Sequence, residues 1–209
     1  MRNSRFNTLV KVSLLGAIGF LLMFLEFALP IFPSFLQIDI SDLPALVGAF
    51  ALGPVAGVAI ELLKNILHAV FKGSPLFIGE VANFVVGGVL VFVAGSIYKR
   101  NRTKTNAIIS MIIGVVAMSI VAVLTNYFVF FPLYASLVYH MPMSSFVQMG
   151  AQTNSHVKSM FTFMTLIILP FNIIKGVVIS ALTAVLYKSL SPIIQGKAVN
   201  APQQESVEN

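Results

Sequence analysis

Apolar residues run along this chain in blocks close to twenty residues long, each closed by a short polar or basic interruption. An α-helix rises about 1.5 Å per residue and a bilayer core is about 30 Å thick, so such blocks predict membrane-crossing helices. The blocks are Leu9 to Leu29, Leu76 to Tyr98, Asn106 to Phe131 and Ser159 to Tyr187. Between the first two lie shorter runs, Leu43 to Leu52 and Val55 to Phe71, divided by the turn signal Gly53-Pro54. Basic residues flank the blocks at Arg2, Arg5 and Lys11, at Lys99 to Lys104, and at Lys188 and Lys197. Cytoplasmic loops collect Lys and Arg, so an even number of crossings separates the first two clusters. Parity is met if neither or both short runs cross, and because Val55 to Phe71 is nearly long enough to span, two crossings, the first short, is the preferred reading. The pattern therefore predicts an all-α integral membrane protein with six transmembrane helices and N- and C-termini cytoplasmic.

A single domain over residues 1–195 and a disordered, polar cytoplasmic tail over 196–209 complete the organisation. Pro132 is expected to end the fifth span. The stretch from Leu133 to Lys158, with His140, Met141, Met143 and Met149, is too polar for a full span and too apolar for a plain linker. It reads as an external lid or an interfacial helix. The basic start before an apolar run resembles a secretory signal, but Glu26 interrupts it and no A-x-A-like site follows, so a retained first span is expected.

Composition sharpens the exclusions. The chain of 209 residues is 57% hydrophobic and 10% charged, far from a soluble average. Its net charge of +6 sits at the block flanks, not on one basic face, so no nucleic acid partner is expected. Without cysteine there is no thiolate chemistry. His68, His140 and His156 fall on separate elements without metal-ligand spacing, and no phosphate-binding G-x-x-x-x-G-K-[ST] motif occurs. Neither a metal nor a cofactor is expected.

Ionisable groups within spans are the candidates for function, because hydrocarbon tolerates them poorly. Glu61, Lys64, Asn65 and His68 form one stripe at three- and four-residue spacing, Glu80 and Asn83 a second, and Asn172 and Lys175 a third. With Asn126, they gather between the midplane and the outer face. Glu61 and Glu80 balance Lys64 and Lys175, which suits a neutral ligand rich in carbonyl, N–H and hydroxyl groups. Plainer roles stand beside this one: Glu61 and Lys64 as a self-neutralising pair, Glu80 and Asn83 as a helix cap, Asn126 as an interhelical hydrogen bond, and His68 as interfacial. Lys175→Ala is expected to weaken ligand binding while leaving folding largely intact.

Small residues mark another surface, with Ser13, Gly16, Ala17 and Gly19 on the first span and Ala45, Gly48 and Ala49 on the second. Such spacing lets backbones approach closely, either inside the bundle or against another membrane subunit. A small intramembrane enzyme using Glu61 or Glu80 as a base is an alternative of a different class, and a helical assembly protein is a third.

The run FLQIDISDLPALVGAFALGPVAGVAIELLKNILH, with FNIIKG at Phe171 to Gly176, resembles the riboflavin-specific S components of energy-coupling factor (ECF) transporters. The resemblance spans most of the chain, and S components for other vitamins share the scaffold more than these residues. It implies a high-affinity riboflavin-binding subunit of a bacterial cell membrane that hydrolyses nothing itself. Uptake would need a membrane coupling subunit (T component) and two cytoplasmic ATPase subunits, riboflavin being the transported ligand and not a cofactor. Asn172, Lys175 and Asn126 match positions facing the flavin ring, and Asp39 to Leu43 match a loop covering the site. Ser13, Gly16 and Ala17, with Ala45 and Ala49, are the candidate docking residues. The family favours A-x-x-x-A where this chain has Ser13 and Ala17.

Overall fold

The computed structural model describes residues 2–195, with side chains described for 6–187; the tail expected over 196–209 lies outside the described residues. Helix α1 (Arg2–Met23) leads into a short antiparallel hairpin, β1 (Phe27–Ala28) against β2 (Gln37–Ile38), with Phe27 opposite Ile38. Then follow α2 (Asp42–Leu52), α3 (Pro54–Phe71) and α4 (Ile78–Arg100). Helix α5 begins at Lys104–Thr125 and continues unbroken to Val138, α6 is Ser144–Thr153, and α7 starts at Met160–Phe163 and runs through to Gln195. Among the described residues, five stretches are long and apolar enough to cross a membrane: Phe6–Met23, Pro54–Phe71, Pro75–Arg100, Lys104–Val138 and Met160–Tyr187.

Helix α2 is the hub of the bundle. Its 11 residues span only about 16 Å, too short to cross upright. It packs on α1, α3, α4 and α7, and every residue from Asp42 to Ala51 is buried. It ends at Gly53, whose φ of 110° a side chain would resist, and Pro54 opens α3 with its φ already helical. The buried face of α3 is Gly57, Ile60, Glu61, Lys64, Asn65 and His68, the stripe predicted from spacing. Gly73, at φ 55°, stops α3 by turning the chain left-handed and donating to the His68 carbonyl at 2.9 Å.

Three expectations change. The first helix ends at Met23, not Leu29, because Phe27 and Ala28 join the hairpin, and apolarity alone does not distinguish a strand from a helix. Pro132 does not end the fifth helix. A π turn over Asn126–Phe130 precedes it and a second over Tyr134–Val138 follows, so the carbonyl of Phe128, which the ring would meet in a regular helix, sits in a widened turn. Helix α7 uses the same device, with the π turn Met164–Ile168 placed before Pro170. Ala45 and Ala49 are also not available for docking. They are buried, and a Cβ at Gly57 would lie 2.6 Å from the Ala49 side chain, so these small residues let α2 and α3 approach. Gly16 is likewise closed off by Leu63, whereas Ser13 is exposed and Ala17 half-buried on α1.

Two apolar clusters divide the bundle. One packs Leu46, Phe50, Leu90 and Met118 around α2, with Phe50 stacked on Tyr98 at 4.3 Å. The other gathers Phe131, Phe146, Phe163 and Phe171 at the end where the hairpin and α6 lie. The candidate site sits at this second end.

Candidate functional site

A cavity of about 670 Å³ opens at that end, within the range of roughly 300–1,000 Å³ usual for small-molecule sites. Its walls come from the hairpin segment, the last turn of α3, the first turns of α4, the π-helical part of α5, α6 and the upper half of α7. Phe35, Phe131, Phe146, Phe171 and Tyr134 supply much of the apolar surface. Phe146 stands edge-on to Phe131 at 4.7 Å, so α6 is fixed over the cavity by aromatic packing. Gly150 seats α6 on α7, since a Cβ there would meet the Phe163 ring at 2.5 Å. The stretch between the fifth and last spans is thus a packed cover.

Of the sequence-predicted residues, Asp39, Glu80, Asn83, Asn126, Asn172 and Lys175 line this one cavity. Asn126 donates through Nδ2 to the Ala122 carbonyl at 2.8 Å, and Asn172 does the same to Ile168 at 2.8 Å. Each amide spends one of its two N–H donors on its own helix, which leaves the second N–H and Oδ1 to meet a ligand. Lys175 donates to Asp39 Oδ2 at 3.0 Å and lies 3.3 Å from Asp42 Oδ2.

The remaining predicted residues form a layer behind the wall. Leu43, Glu61, Lys64 and Asn65 do not line the cavity. Lys64 pairs with Asp42 and with Glu61, the latter at 2.9 Å, and donates to Ser41 Oγ at 2.8 Å. Asn65 donates to the Glu61 carbonyl at 2.9 Å and weakly to Asn83 at 3.4 Å. The self-neutralising Glu61–Lys64 pair therefore exists, but inside a larger network.

Charge in this region departs from the zero balance expected. The sum over Glu61, Glu80, Lys64 and Lys175 omits Asp39 and Asp42, two loop acids that the hairpin and α2 carry inward until they are 6% and 1% exposed. Their neighbourhood in the D-I-S-D segment was visible, but their burial was not, because it depends on two lysines far along the chain. Burial alone would raise the Asp39 carboxyl. The Lys175 and Lys64 ammonium groups and hydrogen bonds from Ser41 outweigh it and hold that carboxyl well below the usual carboxylate range.

His68 also lines the cavity. It is buried at 6% exposure with Nδ1 2.8 Å from Glu80 Oε1. Glu80 in turn accepts from the Ser74 backbone N–H at 2.8 Å and from the Ser74 hydroxyl, so it fixes the α3–α4 turn instead of capping α4 with Asn83. Near the rim, Lys72 pairs with Glu26; Glu26 read only as an interruption of the first apolar block and Lys72 follows the end of another, so neither was singled out for the site.

Helices long enough to cross a membrane surround a ligand-sized cavity near one end, with amide, carboxylate and ammonium groups on an aromatic wall. That defines a small-molecule-binding membrane protein. Residues 7–187 match the family of ECF transporter substrate-specific components, and the chain belongs to that family. It is 37% identical over 188 residues to riboflavin transporter RibU of Staphylococcus aureus (strain TCH60), covering 90% of this chain and 92% of that one. It is 34% identical over 189 residues to riboflavin transporter FmnP of Bacillus subtilis (strain 168), covering 90% and 93%. A solved structure described as the S component of a bacterial ECF transporter superposes with a TM-score of 0.70 at 36% identity, over 93% of this chain and 99% of that one. Family membership makes this a transport component and displaces the enzyme reading of Glu61 and Glu80.

Proposed function

We propose that this protein is the riboflavin-binding subunit of an ECF importer in a bacterial cell membrane. It takes riboflavin into the cavity from the outer face and delivers it by association with an energising module. The observation that carries this reading is the convergence of Asn126, Asn172 and Lys175 on one aromatic-walled cavity. Riboflavin is planar and neutral near pH 7. Its imide-like edge presents an N–H and carbonyl oxygens, which complement the donor and acceptor atoms of two amides and one ammonium. Its polyol is served by carboxylates such as Asp39 and Glu80. A phosphate ester would add a charge of about −2. Both cavity lysines, Lys72 and Lys175, are already ion-paired, so the wall has no surplus cation for it.

Six crossings, α2 being the short second one, and cytoplasmic termini fit the position of the basic Lys99 to Lys104 turn at the opposite end from the cavity. The module would comprise a membrane coupling subunit and two cytoplasmic ATPases. Ser13 and Ala17 on α1 are the positions left to meet the coupling subunit.

The test is the visible absorption spectrum of detergent-purified protein, followed by riboflavin titration of stripped protein. Stoichiometric quenching of riboflavin fluorescence is expected. Protein that ignores riboflavin but saturates with another vitamin would overturn the substrate and keep the family.

A further inference from the structure

Behind the wall, one carboxylate joins a lysine that faces the cavity to one that does not. Asp42 presents Oδ1 to Lys64 and Oδ2 to Lys175, the latter at 3.3 Å, and is itself 1% exposed. An ammonium has three protons to donate. Lys64 donates to Ser41 Oγ and to Asp42 Oδ1 and is ion-paired with Glu61 at 2.9 Å, and it is absent from the cavity wall. Lys175 donates to Asp39, makes an ion-pair contact with Asp42 at 3.3 Å, and lines the cavity, so it keeps a free N–H for a ligand.

The direction of that N–H depends on where Asp42 is held. A Cβ placed on Gly87 would lie 2.8 Å from Glu61 Oε2 and 3.2 Å from Asp42 Oδ1, so the two carboxylates border the same small space. Lys64 is the cation between them. Without it, like charges face each other in a site of low dielectric, and Lys175 becomes the nearest ammonium to both. It is then drawn inward, away from the cavity.

We infer that Lys64 is a positioning residue for ligand recognition: it anchors Asp42 and thereby aims the free N–H of Lys175 into the cavity. The inference rests on the riboflavin reading above, with Lys175 meeting the flavin edge. Neither Lys64 nor Glu61 touches ligand in this arrangement.

A double-mutant cycle on detergent-purified protein tests it, using Lys64→Met, Lys175→Met and the double variant, each titrated with riboflavin. Lys64→Met is expected to weaken binding about tenfold with Lys175 present and under about twofold without it, because the effect passes through Lys175. The visible bands of bound flavin in Lys64→Met should shift toward those in Lys175→Met. Equal losses in both backgrounds, or no loss in either, overturn the inference. If Lys64→Met yields no folded protein, Lys64→Gln removes the charge that anchors Asp42 while keeping a polar side chain, and the same cycle is read with it: a loss confined to the Lys175 background supports the inference, and equal losses overturn it. Wild-type protein that does not bind riboflavin overturns the functional reading and this one together. Wild-type protein that binds, with equal losses, overturns this one alone.

Discussion

Lys175 and Asp39 stand 136 positions apart in sequence, yet the ammonium of one donates to the carboxylate of the other at 3.0 Å. The pair ties α7, which carries much of the ligand wall, to the hairpin segment that covers it. One contact thus belongs both to the fold and to the binding site.

Lys175→Met should therefore fail on two counts. Removing a charged hydrogen-bond donor from the flavin edge is expected to weaken riboflavin about ten- to a hundredfold. Folding is not left intact either, against the expectation from sequence, because Asp39 and Asp42 both lose a buried cation. Breaking a buried pair typically costs about 3–5 kcal/mol. Fluorescence titration measures the first effect, and thermal unfolding of the ligand-free protein in detergent the second. A variant as stable as wild type would mean that Lys64 alone satisfies both acids.

The Asp39 carboxyl is held below its ordinary 3.8, so the sign of its pH dependence is fixed. Its contribution to stability is fully present above that value and is lost only as the pH falls through the lower folded one. The difference in melting temperature between wild type and Asp39→Asn is expected to stay constant from about pH 7 down to about pH 4. A difference near zero across the window would show an ordinary, solvent-exposed carboxylate, whose folded and unfolded values coincide.

Phe146 closes the cavity from α6, buried against Phe131 and within ring contact of Phe35 and Tyr139. Truncating a buried Phe to Ala typically costs about 3–5 kcal/mol. Here part of that loss should appear as a roof that opens more readily. Phe146→Ala is expected to raise the riboflavin dissociation rate more than it lowers the association rate, as read by stopped-flow fluorescence. The reverse pattern would place the entry route elsewhere.

Lys72 and Glu26 form the weakest of the ion pairs at the site. Lys72 is 45% exposed and Glu26 27%, so water and salt screen the attraction. Lys72→Ala should change stability by no more than about 1 kcal/mol, in contrast to Lys175→Met. A loss comparable to that of Lys175→Met would reveal a role for Lys72 beyond the pair.

Much of this protein was determined by its sequence alone. Hydrocarbon excludes unpaired polar groups, so the apolar blocks disclose the helices, and the few ionisable residues inside them disclose which helix faces are buried. The stripe Glu61, Lys64, Asn65 and His68 is the buried face of α3, and Asn172 and Lys175 line the cavity from α7. Only the tertiary structure decided what each group does. Lys64 and Lys175 look alike as lysines within spans, but one is encircled by Ser41, Asp42 and Glu61 while the other keeps a face on the cavity. Asp42, at the first turn of α2, becomes the link between them. Pro132 reads as a helix breaker until π turns flank it, and Ala45 and Ala49 read as a docking surface until α3 covers them. The reason is the same in each case. Apolarity and spacing are local properties of the chain, whereas ion pairing and exposure depend on which distant segment comes to lie alongside.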